Sequence, residues 1–185
     1  TNASNEAIEI DFNSQSLDNY IATKTVNGTL VETSSVSIPT ITNSQISSDG
    51  SKLILSFNEN ISWSSGDTFS NLLVTIDGST NNPVTAVNTS NTELQATLSD
   101  KILSGQQVTF DYLNSSQTIQ DLSGNPLNSI ISQSVTNISN VIGFVNGQAY
   151  EGDFHEMDNG MKMTGASHGA GTDQIIYSTV EESMS

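Results

Sequence analysis

Between residues 52 and 112 apolar and polar side chains alternate so regularly that only β structure accommodates them. Lys52-Leu53-Ile54-Leu55-Ser56-Phe57 sends Leu53, Leu55 and Phe57 to one face, and Val108-Thr109-Phe110-Asp111-Tyr112 does the same with Val108, Phe110 and Tyr112. A period of two marks a half-buried strand, because successive side chains point to opposite faces. Helical patterns are missing. Ser, Thr and Asn dominate the chain, and these side chains compete with the helical backbone for its hydrogen bonds.

The same pattern predicts strands over 40–46, 52–57, 72–76, 84–88, 93–97, 107–112 and 130–135. Turn residues separate them: Ser48-Asp49-Gly50, Ser65-Gly66-Asp67, Asp77-Gly78, Asn81-Asn82-Pro83, Ser104-Gly105 and Ser123-Gly124-Asn125-Pro126. About seven strands in about 100 residues is the count of an immunoglobulin-like β-sandwich. Its core is expected from Leu53, Leu55, Phe57, Val74, Ile76, Leu94, Ala96, Leu98, Val108, Phe110 and Tyr112. The fold class is thus all-β: a sandwich over 40–137, an N-terminal β arm or end of a preceding domain over 1–39, and a small β-hairpin appendage over 138–185. In the arm, Ile8, Ile10 and Phe12 share a face, and Asn27-Gly28 signals a two-residue hairpin. In the appendage, Asn146-Gly147 and Asn159-Gly160 predict two more hairpins, followed by a strand over 174–179 and a tail that reads as a C-terminus. An arm of this size cannot form a core alone and must pack on something.

Charge narrows the function classes. The net charge is −16, from 20 acidic residues and four lysines. Such a surface repels nucleic acid and anionic membranes. No apolar run is long enough to span a bilayer. The chain has no cysteine, so disulfides and thiolate chemistry are excluded. It starts without Met or a signal-peptide pattern and reads as a piece of a longer polypeptide.

Residues 48–59, 69–78, 104–112, 119–126 and 135–137 resemble, in order, a bacterial immunoglobulin-like repeat of the SwmB-like type. That resemblance implies a module of large secreted or cell-surface proteins. A second resemblance lies in Tyr150-Glu151-Gly152-Asp153-Phe154-His155 and Asn159-Gly160-Met161-Lys162-Met163-Thr164-Gly165-Ala166-Ser167-His168. This "Y-x-G-x-x-H … G-x-x-M-T-G-A-x-H" pattern is similar to endings of tailed-bacteriophage structural proteins. It implies a virion surface component such as a fibre, neck, tail or capsid decoration.

Candidate chemistry is sparse. His155 and His168, the only histidines, suit a divalent metal, with Asp153, Glu156 or Asp158 as further ligands. The alternative is local hydrogen bonding in a small β unit. A two-residue hairpin at Asn159-Gly160 would set Thr164 opposite His155. Asp121 and Asn125, helped by Asp49 or Asp77, offer oxygens to calcium, or else form a turn bonded to its own backbone. Phe154, Met157, Met161, Met163 and Trp63 are candidate partner contacts, with burial in the appendage core or over the sandwich edge as the alternative. Trp63, Tyr112 and Tyr150 are the aromatic candidates for a glycan receptor. No nucleophile elbow, phosphate-binding glycine loop or zinc-protease motif occurs. The expectation is a non-enzymatic structural protein requiring no cofactor. It forms homo-oligomers and contacts other virion or surface subunits. It sits on a virion surface or, alternatively, outside the cell as a calcium-stiffened adhesin module.

Overall fold

The protein is described here from a computed structural model, which places residues 23–26, 29–32, 37–63, 71–81, 83–115, 119–169 and 173–185. The chain divides into two units, Thr1–Ile38 and Pro39–Ser185. In the first, β1 (Thr23–Val26) and β2 (Thr29–Glu32) pair antiparallel with Val26 opposite Thr29. The hairpin turn expected at Asn27-Gly28 lies outside the described residues. The proposed face of Ile8, Ile10 and Phe12 lies outside the described residues, as does the turn at Ser65-Gly66-Asp67.

The second unit opens with β3 (Ile41–Ile46), β4 (Lys52–Phe57), β5 (Ile61–Trp63), β6 (Leu72–Ile76) and β7 (Ser79–Thr80). It continues with β8 (Pro83–Ser90), β9 (Glu93–Leu98), β10 (Val108–Tyr112), β11 (Ile119–Asp121) and β12 (Ile130–Asn137). Eight of these form one curled sheet in the order β7-β6-β10-β12-β3-β4-β9-β8, and β5 pairs with β11 separately. The seven expected strands are all present. The short strands β5, β7 and β11 were not foreseen.

β12 makes the curl. Val135 lies opposite Val108 on the antiparallel β10. The next two residues, Thr136 and Asn137, pair in parallel with Gln45 and Ile46 of β3. One strand therefore passes from one layer to the other, and the inward rows of β4 and β9 meet those of β6 and β10. Leu53, Leu55, Val74, Leu94, Ala96 and Tyr112 are completely buried, and Leu98, Phe57, Val108 and Phe110 nearly so. Ile76 alone of the expected core is only half-buried and packs on its margin. The core also takes in Ile46, Ile61, Ile102, Ile119, Leu127 and Val135. Burying each large side chain is worth about 1.5–3 kcal/mol.

After β12 the chain builds the appendage on the sandwich end formed by residues 47–50 and 101–106. Asn140 N donates to Ser48 O at 2.8 Å, Ser104 N to Val141 O at 2.7 Å and Ser139 Oγ to Ile102 O at 2.6 Å. β13 (Gly143–Val145) and β14 (Gln148–Tyr150) form the hairpin at Asn146-Gly147, where both turn residues have positive φ. β15 (Phe154–Glu156), β16 (Lys162–Thr164) and β17 (Ile175–Ile176) form a three-stranded sheet. The strand expected over 174–179 is shorter. Tyr177 bridges to Phe144, and Thr179 then caps a helical turn, α1 (Val180–Ser183), by accepting from Glu182 N at 3.2 Å. A side-chain oxygen at an N-cap satisfies a backbone donor that a strand would have used otherwise. Among the described residues no helix is long and apolar enough to cross a membrane.

Candidate metal centre

The second appendage hairpin differs by one residue from the expected register. Met157 N donates to Met161 O at 2.8 Å, which leaves the three-residue loop Asp158-Asn159-Gly160 with Gly160 at φ 81°. A three-residue loop ending on a left-handed glycine is the next favoured hairpin after the two-residue form. Met163, not Thr164, therefore lies opposite His155. Thr164 turns to the other face, where it is buried and its Oγ1 accepts from Gln174 N at 3.0 Å. On the His155 face, Met163 pairs onward with Ile175.

This register and the return of the chain at β17 gather three polar side chains. His155, His168 and Asp173 each present one ligand atom within 4.8 Å of the others, the one such group of three among the described residues. The two imidazole centroids are 5.6 Å apart at 62°. His168 Nδ1 lies 3.2 Å from Asp173 Oδ2, which also accepts from Gly169 N at 2.8 Å. His155 Nδ1 is 2.9 Å from Gly165 O. His155 Nε2 and Asp173 Oδ1 are buried with no hydrogen-bond partner among the described residues. Asp153, Glu156 and Asp158, the carboxylates named from sequence, do not join the group. Glu156 is next to His155 on a strand and so projects from the opposite face. Asp153 contributes backbone instead: its carbonyl accepts from Tyr150 OH at 2.6 Å and Gly165 N at 2.8 Å.

Asp121 adopts the turn alternative. Its Oδ1 accepts from Ser123 N at 2.8 Å and Asn125 N at 2.7 Å, and its Oδ2 accepts from the Asn125 side chain at 2.7 Å. Burial works to raise its pKa. The Asn125 side chain and the Asn125, Ser123 and Gly124 N–H groups outweigh that and hold it below the usual carboxylate range. Neither Asp49 nor Asp77 is grouped with it.

Asp49 lies in the turn between β3 and β4. Its Oδ1 accepts from Ser47 Oγ at 2.5 Å and Ser51 N at 3.2 Å, and its Oδ2 from Ser51 Oγ at 2.7 Å. The Ser47 hydroxyl is the main cause that holds the Asp49 carboxyl far below its ordinary value. Partial burial opposes it, and the Ser51 hydroxyl, the Ser51 N–H and the Lys101 charge add to the depression. A depressed carboxyl stabilises the fold above its unfolded pKa of about 3.9, and that contribution is lost as pH falls through the folded value. Asp49→Asn is therefore expected to flatten the stability profile below about pH 4. At neutral pH it should cost about 1 kcal/mol or less, because the carboxylate is half exposed. Urea melts of both proteins across that range check this.

The proposed contact residues divide. Phe154 and Met161 are each 38 % exposed, and Met157 and Met163 are half-buried. Lys162 Nζ sits 5.2 Å from the Phe154 ring centroid, a cation–π contact worth about 0.5–1 kcal/mol. Trp63 packs against the sandwich core, next to Ile119 across β5 and β11. Tyr112 is wholly buried and thus unable to contact a glycan, and Tyr150 is half-buried.

No family model matches the chain. No curated protein matches it either. Among solved structures, the N-terminal part of the bacterial S-layer protein SbsC is similar, at 14 % identity and a TM-score of 0.46 over 76 % of this chain. The S-layer protein rSbsC gives 14 % and 0.43 over the same share, and domains 1–6 of surface layer protein SbsC give 14 % and 0.46. The chain spans 32 % of the first of these structures and 19 % of each of the others.

Proposed function

We propose that this chain is a non-catalytic structural module of a bacterial cell-surface or secreted assembly, with the sandwich as an in-line spacer. The parallel pairing of β3 with β12 carries the reading. β3 is the first strand of the sandwich and β12 the last. Because they run side by side in one direction, the chain enters beside Ile41 and leaves beside Ile46, where Asn137 pairs. Five residue steps at about 3.3 Å set entry and exit about 17 Å apart along the strand. Modules built this way thread in series without doubling back. Tension on the two ends shears β3 along β12, so their hydrogen bonds resist together rather than peeling one by one. Ser44 Oγ, donating to Ser134 O at 3.1 Å, adds a side-chain tie across the same pair. The net charge of −16 keeps such an array soluble and self-repelling.

A virion-surface component is the second reading. It is favoured by the mutual bonding of the Tyr150–His168 pattern, in which Tyr150, Asp153, His155 and Gly165 hold one another. Sequencing the genome around the coding region separates the two. Further copies of the 48–137 pattern in the same reading frame, beside secretion or anchoring genes, are expected. Flanking capsid and tail genes would overturn the proposal in favour of the virion.

A further inference from the structure

We propose that His155, His168 and Asp173 bind one divalent transition-metal ion of the zinc type, which fastens the segment after β16 to strand β15. The argument starts from a tautomer. Gly165 O can only accept, so the 2.9 Å contact places the ring proton of His155 on Nδ1. In the neutral ring Nε2 is then an unprotonated lone pair. That atom is buried and meets no donor among the described residues. Asp173 Oδ1 is in the same condition, while its Oδ2 takes the Gly169 N–H and the His168 ring. Two buried acceptors in one small cluster lack hydrogens, and a cation satisfies both at once.

The ligand chemistry selects the ion. Two imidazoles and one carboxylate suit zinc and its first-row neighbours, which bind such atoms at about 2.0–2.2 Å. Calcium and magnesium require shells built from oxygen. The outer bonds are those that metal-binding side chains use. A backbone carbonyl fixes the His155 tautomer, and a backbone N–H orients Asp173. Both come from glycines close to His168 in sequence, so ligand and support arrive on one stretch of chain. The three ligands leave a fourth position for water or for a neighbouring subunit.

The test uses the full chain, stripped with a chelator and dialysed against zinc, with metal counted by plasma mass spectrometry. Wild type should hold about one zinc per chain. Two variants spare the fold: His168→Ala removes a side chain 64 % exposed, and Asp173→Asn keeps its shape. Each should weaken zinc binding about tenfold or more, with an unchanged circular dichroism spectrum. Cobalt in place of zinc should give visible bands of nitrogen and oxygen coordination, lost in His168→Ala. Calcium in the same dialysis should not compete. The proposal falls if no zinc is retained, which would leave a water as the partner of both acceptors. It also falls if both variants hold zinc as wild type does, or if calcium displaces it.

Discussion

Replacing Tyr112 by Ala should remove about 4–8 kcal/mol of stability, most of what a domain of ordinary stability possesses. Tyr112 is wholly buried at the end of β10 and belongs to the continuous core. Loss of so large a ring leaves a cavity that rigid neighbouring strands close only in part, at about 3–5 kcal/mol. A second cost follows from its hydroxyl, which accepts the Ile119 N–H at 3.1 Å inside the protein. Without it that donor is buried and unpaired, which costs about 1–3 kcal/mol. Tyr112→Phe separates the two effects, since it keeps the ring and removes the hydroxyl. Its expected cost is about 1–3 kcal/mol. Urea melts give both numbers. The single tryptophan gives a local readout, because Trp63 pairs with Ile119 across β5 and β11. Tyr112→Phe should shift Trp63 emission to the red below the main transition. A Tyr112→Phe protein as stable as wild type would show that the hydroxyl adds nothing at this point.

Long strands with clean alternation were legible from sequence because one face of each is filled by the core. Leu53, Leu55 and Phe57 had to point together, and a slip by one residue would expose all three. β5 and β11 were missed because three residues, Ile61 to Trp63 or Ile119 to Asp121, give too short a period to recognise. The metal centre was half legible. The rare histidines stood out, but Asp173 did not. One carboxylate among 20 carries no signal when it lies 18 residues beyond His155 behind a glycine-rich stretch. Its place depends on the return of β17 beside β16, a pairing that spacing does not encode. Glu156 stood among the candidate ligands, although the strand period already turns it to the face opposite its neighbour His155. The register at Asn159-Gly160 was misread because an Asn-Gly pair fits both the two-residue turn and the last positions of a three-residue loop.

Gly50→Ala should cost about 2–5 kcal/mol and loosen the appendage from the sandwich. Gly50 has φ 71°, a left-handed conformation that strains any residue with a Cβ by about 1–2 kcal/mol. An added Cβ would also lie 2.3 Å from Ile102 O and 2.9 Å from Ser139 Oγ. Ile102 is held on both sides, its N–H donating to Gly50 O at 2.8 Å and its carbonyl accepting from Ser139 Oγ at 2.6 Å. Backbone cannot rotate away as a side chain would, so the clash breaks these bonds or shifts the segment, at a further cost of about 1–3 kcal/mol. Gly105 is the control. Its φ is 85°, yet nothing lies within 4 Å of its added Cβ, so Gly105→Ala carries strain alone. Subtracting one urea midpoint from the other isolates the contact. Hydrogen exchange at Asn140 and Val141 locates it, because Asn140 N donates to Ser48 O and Val141 N to Ser139 Oγ. Gly50→Ala should speed exchange at both amides, and Gly105→Ala should leave both slow. Equal exchange in the two variants would mean that the appendage stays in place without this junction.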